Sequence, residues 1–228
     1  MSTSAARSPE LLQARLQEFN LLPSRSLHVD RAHLMAPAEA HTALFSHPGV
    51  QRALHRRWSE QLLAGLGEDA QPVLDLSHVA LPYALAAPSL LRQLVRNAGV
   101  ALLGQHLRRT IARDAVLHAR ETLGDADLDW ARSGAAAVHP GLENSGDWVK
   151  AGLDKAADLL GAGVLAQSWQ DAPAPIRLRA DWKLPPAATD ASAVRTASAL
   201  DPQGARQFCR QLLARLDPAW LSSFPATR

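Results

Sequence analysis

Cysteine occurs once, at Cys209, so the chain closes no internal disulfide and suits a reducing compartment. Long apolar runs are missing as well. The longest stretch free of Asp, Glu, Lys and Arg, Leu76–Leu91, is interrupted by Pro82 and Pro88. It falls short of the roughly 20 apolar residues that span a bilayer, so no membrane insertion is expected. The opening MSTSAARSPELLQ has no apolar core of the kind a secretory signal needs. Period-two alternation is almost absent. Only Ile176, Leu178 and Ala180, alternating with Arg177 and Arg179, read as a short strand-like segment, and no partner strand is evident.

Catalytic signatures are also lacking: there is no Walker A loop, no HExxH and no GxSxG. Gly161-Ala162-Gly163-Val164-Leu165-Ala166 matches the dinucleotide fingerprint in form, but it lies in or after a helical pattern instead of behind a strand. Asp75, Ser77 and His78 are the residue types of a triad, yet a triad converges from separate elements, not from neighbouring positions. Nine histidines are scattered; His28/His33 and His47/His55 have no Cys or acidic partner at ligand spacing. No catalytic residue, metal or cofactor is therefore expected, and the chain does not read as an enzyme.

What is present is helical periodicity. At 228 residues, 47% of them apolar, the chain suffices for one sizeable domain with a packed core. The stretch Pro88–Gly124 organises the rest. Pro88 and Ser89 suit a helix start, and Gly124 a left-handed exit. Leu91, Leu94, Val95, Ala98 and Leu102 recur at helical spacing, followed by an offset series of Leu103, Leu107, Ile111 and Ala115. The pattern fits one long core helix with a shifting face, or two helices meeting near Gly104.

Flanking helices are expected to start at Ser8-Pro9-Glu10, at His47-Pro48-Gly49, at Asp125 and at Asp147, where Val149, Leu153, Ala156, Leu160 and Val164 make a stripe. The class is all-α: a single globular helical domain over 1–185, a flexible Ala/Ser/Thr/Pro linker over 186–200, and an amphipathic C-terminal helix within 201–228 that docks on the domain. The six tryptophans read mostly as core anchors, with Trp220, beyond the last helix, the best candidate for an exposed contact.

Net charge is only +2, yet it is unevenly placed. Ser89–Arg120 holds six arginines and one acid, whereas Glu121–Asp158 holds eight acids against Arg132, Lys150 and Lys155. Such a division implies internal pairing or two oppositely charged faces. The candidate partner-binding residues are Arg108, Arg109 and Arg113 on one side, Asp125, Asp127 and Asp129 on the other, and Trp220. Nucleic-acid binding through the 92–113 arginines is the alternative, although aromatics are not interleaved there and an equally dense acidic segment follows.

The run PSLLRQLVRNAGVALLGQHLRRTIARDAVLHARETLG resembles the central signature of the K component of bacterial type III secretion sorting platforms, the SctK (YscK) family. The similar features are Leu91-Arg92, Leu102-Leu103-Gly104, Leu107-Arg108-Arg109 and Arg120-Glu121-Thr122-Leu123-Gly124. Phe19-Asn20 through Pro23 to Leu27-His28, and Arg177-Leu178-Arg179 through Lys183-Leu184-Pro185, are alike as well, so the likeness runs in order over most of 19–186. Trp182 stands where an aliphatic residue is expected, and the tail from Pro186 has no counterpart. The resemblance implies a cytoplasmic, non-enzymatic adaptor of the injectisome, held at the inner membrane by protein partners. Those partners would be the cytoplasmic domain of the inner-membrane ring protein (the D component) and the Q component of the pods.

Overall fold

Helices α5 (Pro88–Leu102) and α10 (Leu153–Ser168) run antiparallel through the middle of the protein, and their backbones touch. The structure, a computed structural model, describes residues 7–35, 47–189 and 200–225. Among these residues every regular element is helical and no strand occurs. A Cβ built on Gly99 would lie 1.8 Å from the Ala157 carbonyl oxygen, and one on Gly161 would lie 1.8 Å from the Val95 carbonyl oxygen. Glycine is required at both positions because a neighbouring backbone occupies the space. Ala98, Ala157 and Ala162 are fully buried along the same seam, where small side chains allow the close approach. Gly161-Ala162-Gly163 is thus a packing surface inside a helix.

The other helices precede, separate and follow this pair along the chain. α1 (Arg7–Leu21), α2 (Val29–Met35) and α3 (Pro48–Leu66) precede it, with the single turn α4 (Leu81–Ala84) leading into α5. α6 (Gly104–Arg109), α7 (Arg113–Leu123), α8 (Asp125–Ser133) and the one-turn α9 (Ser145–Trp148) lie between the central helices. α11 (Ala174–Asp181), α12 (Pro186–Thr189), α13 (Pro202–Leu216) and α14 (Pro218–Ser222) follow α10. α13 begins with Asp201 accepting from the Gly204 N–H at 2.6 Å, and buries Ala205, Phe208, Cys209, Leu212 and Leu213 against α5 and α10.

Several expectations are corrected. The 88–124 stretch is three helices, not one or two. α5 ends at Leu102, and a second break at Thr110-Ile111-Ala112 separates α6 from α7. Pro88 itself opens α5, and the N-cap is Ala87, so Ser89 does not cap it. Leu107 is 1% exposed, but Ile111, expected in the core, is 88% exposed, and Ala115 is exposed too. The apolar series loses its face once the helix breaks at Thr110, since a change of axis resets the 3.6-residue period.

The strand-like segment 176–180 is helical, lying in α11. Ile176, Arg179 and Ala180 are its buried residues, at i, i+3 and i+4, so the alternation misled by counting Arg179 as a surface residue. α10 starts at Leu153 after Gly152 (φ 112°), not at Asp147. The linker expected at 186–200 begins as helix α12 with Ala188 buried; 190–199 lie outside the described residues.

Irregular segments are fastened by side chains. The Asn20 carboxamide pairs with both backbone groups of Val73, at 2.8 and 2.9 Å. The Arg179 guanidinium donates to the carbonyls of Asp69, Ala70 and Pro175 at 3.3, 2.6 and 2.9 Å. Lys183 Nζ donates to Ala86 O at 3.2 Å, and Trp220 Nε1 to Pro82 O at 2.9 Å. The chain between Ala70 and Pro88 has little secondary structure of its own, so these donors satisfy carbonyls that burial would otherwise strand.

Gly99→Ala and Gly161→Ala should each destabilise the protein by about 3 kcal/mol or more, because backbone must move to admit the methyl. Helix propensity alone would favour alanine by about 1 kcal/mol. Gly65→Ala, with nothing within 4 Å of the added carbon, is the control and should be neutral or mildly stabilising in denaturant titration. In the same assay Leu107→Ala should cost about 2–5 kcal/mol, whereas Ile111→Ala should stay within about 0.5 kcal/mol of wild type, as an exposed position does.

Candidate functional site

The arginines of α5–α7 divide into structural and free groups. Arg96 is the hub. Its Nε contacts Asp127 at 2.9 Å, its Nη1 contacts Asp154 at 2.5 Å and Asp158 at 3.5 Å, and its Nη2 donates to Thr122 O at 3.3 Å. One side chain thereby joins α5 to the end of α7, to α8 and to α10. Burial by itself would lower the Arg96 pKa, but the hydrogen bonds it donates to Asp127 and Asp154, with the attraction of Asp154 and Asp158, outweigh it and the net shift is upward. Arg108 is structural too, donating to Ala131 O at 3.2 Å and Pro140 O at 2.6 Å. Arg120 pairs with Asp125 at 2.6 Å, with both side chains more than half exposed.

Much of the charge asymmetry is therefore consumed internally. Among the described residues Arg109, Arg113 and Asp129 are exposed and take part in no ion pair, while Asp125 and Asp127 are paired within the chain. Trp220, expected as an exposed contact, is 6% exposed. Its ring stands edge-on to Phe224 at 5.0 Å, and its N–H is committed to Pro82. Nothing in the local sequence reveals this, because the carbonyl that Trp220 meets lies 138 positions away.

A cleft of about 690 Å³ opens between α2, the first half of α5, α10 and the turn after α11. Leu91, Val95 and Ala162 supply its apolar wall, and His28, Asp158 and Lys183 are among its polar lining groups. Lys183 is 8% exposed, and its ammonium lies 5.4 Å from the centre of the Phe19 ring. Burial drives its pKa down to about 7, only partly offset by Glu18. Burial also lowers the pKa of His28 and raises that of Asp158, the latter against the opposing pull of Arg96. No local sequence signal marks this cleft, since its residues come from four separated segments.

One side-chain pair has the spacing of a nucleophile and its base. Ser24 Oγ lies 3.0 Å from His55 Nδ1 and 2.8 Å from Ser59 Oγ. The same hydroxyl donates to the His55 carbonyl at 2.8 Å, and Ser24 is buried, so the cluster fastens the 3₁₀ turn Pro23–Ser26 to α3. No carboxylate hydrogen-bonds the His55 ring among the described residues, and the orienting member of a triad is therefore lacking there. Cys209 is buried with its thiol pushed up to about 12 by desolvation, so it stays protonated. No cluster of three or more His, Cys, Asp or Glu side chains able to hold a metal occurs among the described residues. No helix of the described residues is long and apolar enough to cross a membrane.

Comparison with protein-family models, with curated proteins and with solved structures gives no match.

Lys183 makes the stability of the fold depend on pH in a defined direction. Folded, it releases its proton near 7; unfolded, near its ordinary 10.5. Between those values the unfolded chain holds the extra proton, so stability should rise with pH across that window and lose this slope below about 7. Lys183→Met should remove the rise. The check is the difference in Tm between wild type and variant as a function of pH. Taking the difference cancels the opposite contribution of Cys209, which both proteins share.

Proposed function

We propose that this protein is a non-enzymatic adaptor of a bacterial type III secretion sorting platform, joining the inner-membrane ring (D component) to the pods (Q component). The observation that carries the reading is the ordered resemblance over 19–186, with the same features in the same sequence. Further support comes from what those features do in this chain. Asn20, Arg179 and Lys183 all fall within them, and each fastens an irregular segment to the helical core. Leu102-Leu103-Gly104 forms the junction between α5 and α6. The likeness thus lies on residues that hold the frame, where a shared fold would require it.

An adaptor works through surfaces, and two are available. Arg109 and Arg113, two residues to either side of a turn that Arg132 holds, make one region cationic, while Asp154 and Asp158, the exposed carboxylates of the Arg96 cluster, make another acidic. Charges of this kind set encounter rate and partner choice more than they set affinity. The location that follows is cytoplasmic, at the inner membrane through protein partners.

The nucleic-acid alternative is weakened by the same geometry. Of the 92–113 arginines, Arg96 is neutralised by three carboxylates and Arg108 is spent on backbone carbonyls. Too few remain for a phosphate-tracking surface.

Arg109→Glu/Arg113→Glu should weaken binding to one of the two components while leaving the Tm unchanged, and the defect should deepen as salt is lowered. Asp129→Lys should act on the other component or on neither. Binding of each variant to purified D-component cytoplasmic domain and Q component at two salt concentrations checks both statements. If the wild-type protein binds neither component, the adaptor reading fails.

A further inference from the structure

Ile111 sits in the turn between α6 and α7, with 88% of its surface in solvent. Single exposed aliphatic residues are common and ordinarily carry no meaning. This one differs in how it is held and in what surrounds it. Thr110, immediately before it, bonds back to His106 O through both its N–H (3.0 Å) and its hydroxyl (2.9 Å). The Thr110 carbonyl accepts from Arg132 Nη2 at 3.1 Å, a guanidinium reaching across from α8. The turn is thus anchored on two sides, and the isoleucine is presented by a fixed backbone. Ordering it on binding costs less than ordering a loose loop would.

The surroundings are cationic. Arg109 and Arg113 flank the turn, both exposed and without an ion pair among the described residues, and Arg132 lies beside it. Two acids stand near these arginines in sequence, Asp114 next to Arg113 and Asp129 three residues before Arg132 on α8. Leu117, on α7, is 42% exposed. An aliphatic knob with exposed arginines two residues to either side has a definite complement, an apolar pocket edged with carboxylates.

The geometry points to Ile111 as the anchor of a protein-docking surface, seated in an apolar pocket with an acidic rim on the partner, Arg109 and Arg113 forming this chain's share of the rim. This assignment rests on the adaptor reading and names the surface through which one of the two components is held. A folded protein is favoured over an anionic lipid surface because one isoleucine buries far less than a single acyl chain, which by itself gives only marginal membrane binding.

The test uses the full chain, with D-component cytoplasmic domain and Q component as probes. Ile111→Asp should retain the wild-type Tm and lower affinity for one component by about tenfold or more, as loss of a central anchor does. Leu74→Asp, at an exposed leucine 78% in solvent on the separate 71–78 segment, should leave both affinities unchanged. Wild-type binding that Ile111→Asp leaves intact overturns the anchor while the adaptor reading stands. Absence of wild-type binding to both components removes the adaptor reading and the anchor together. Co-sedimentation with phosphatidylglycerol vesicles that Ile111→Asp abolishes, with protein binding unaffected, replaces the protein partner by a membrane surface and overturns the assignment.

Discussion

The backbone contact between α5 and α10 is the constraint on which the remaining structure depends. Gly99 against Ala157 and Gly161 against Val95 set both the separation and the antiparallel register of the two helices. In that register the long Arg96 side chain on α5 reaches both Asp154 and Asp158 on α10, and the ion-pair hub follows from it. α13 then closes over the pair with Phe208, Leu212 and Leu213. Interiors are packed to crystal-like density, so a seam built on hydrogen atoms has no slack to absorb a methyl group.

A second layer of organisation comes from long polar side chains acting on backbone. Asn20, Arg179, Lys183 and Trp220 each reach from one part of the chain to carbonyls or amides between Asp69 and Ala86. That segment carries short apolar turns instead of long helices, so its backbone groups lack internal partners. Burying them without donors would cost about 1–3 kcal/mol for each unsatisfied group. The protein thus spends its buried cations on structure, and Lys183 sits in a site that disfavours its own charge. Function, on the adaptor reading, is left to the cations that remain outside.

The surface arginines consequently have unequal roles although they are close in sequence. Arg108 and Arg109 are adjacent, yet the first is clamped to α8 and to the loop before α9, while the second faces solvent. A helix places neighbouring residues about 100° apart, and only one of two consecutive arginines faces a packed neighbour. The turn at Thr110-Ile111-Ala112 then leaves an aliphatic residue among the free charges.

The amino-acid pattern by itself determined the helical class, the absence of a membrane-spanning helix among the described residues, and the apolar faces of α5, α10 and α13. It also determined the exit at Gly124, whose φ of 87° suits glycine, and the start of α13 at Asp201-Pro202. These are local properties: a period, a cap or a positive φ is written within a few residues. Tertiary structure alone decided that Arg179 is core, that Trp220 is buried, that Ile111 is exposed, and that Asp127 belongs to Arg96. Each depends on a partner far along the chain or on a change of helix axis. Periodicity reports which side of a helix is apolar; it carries no record of where that helix stops facing the core.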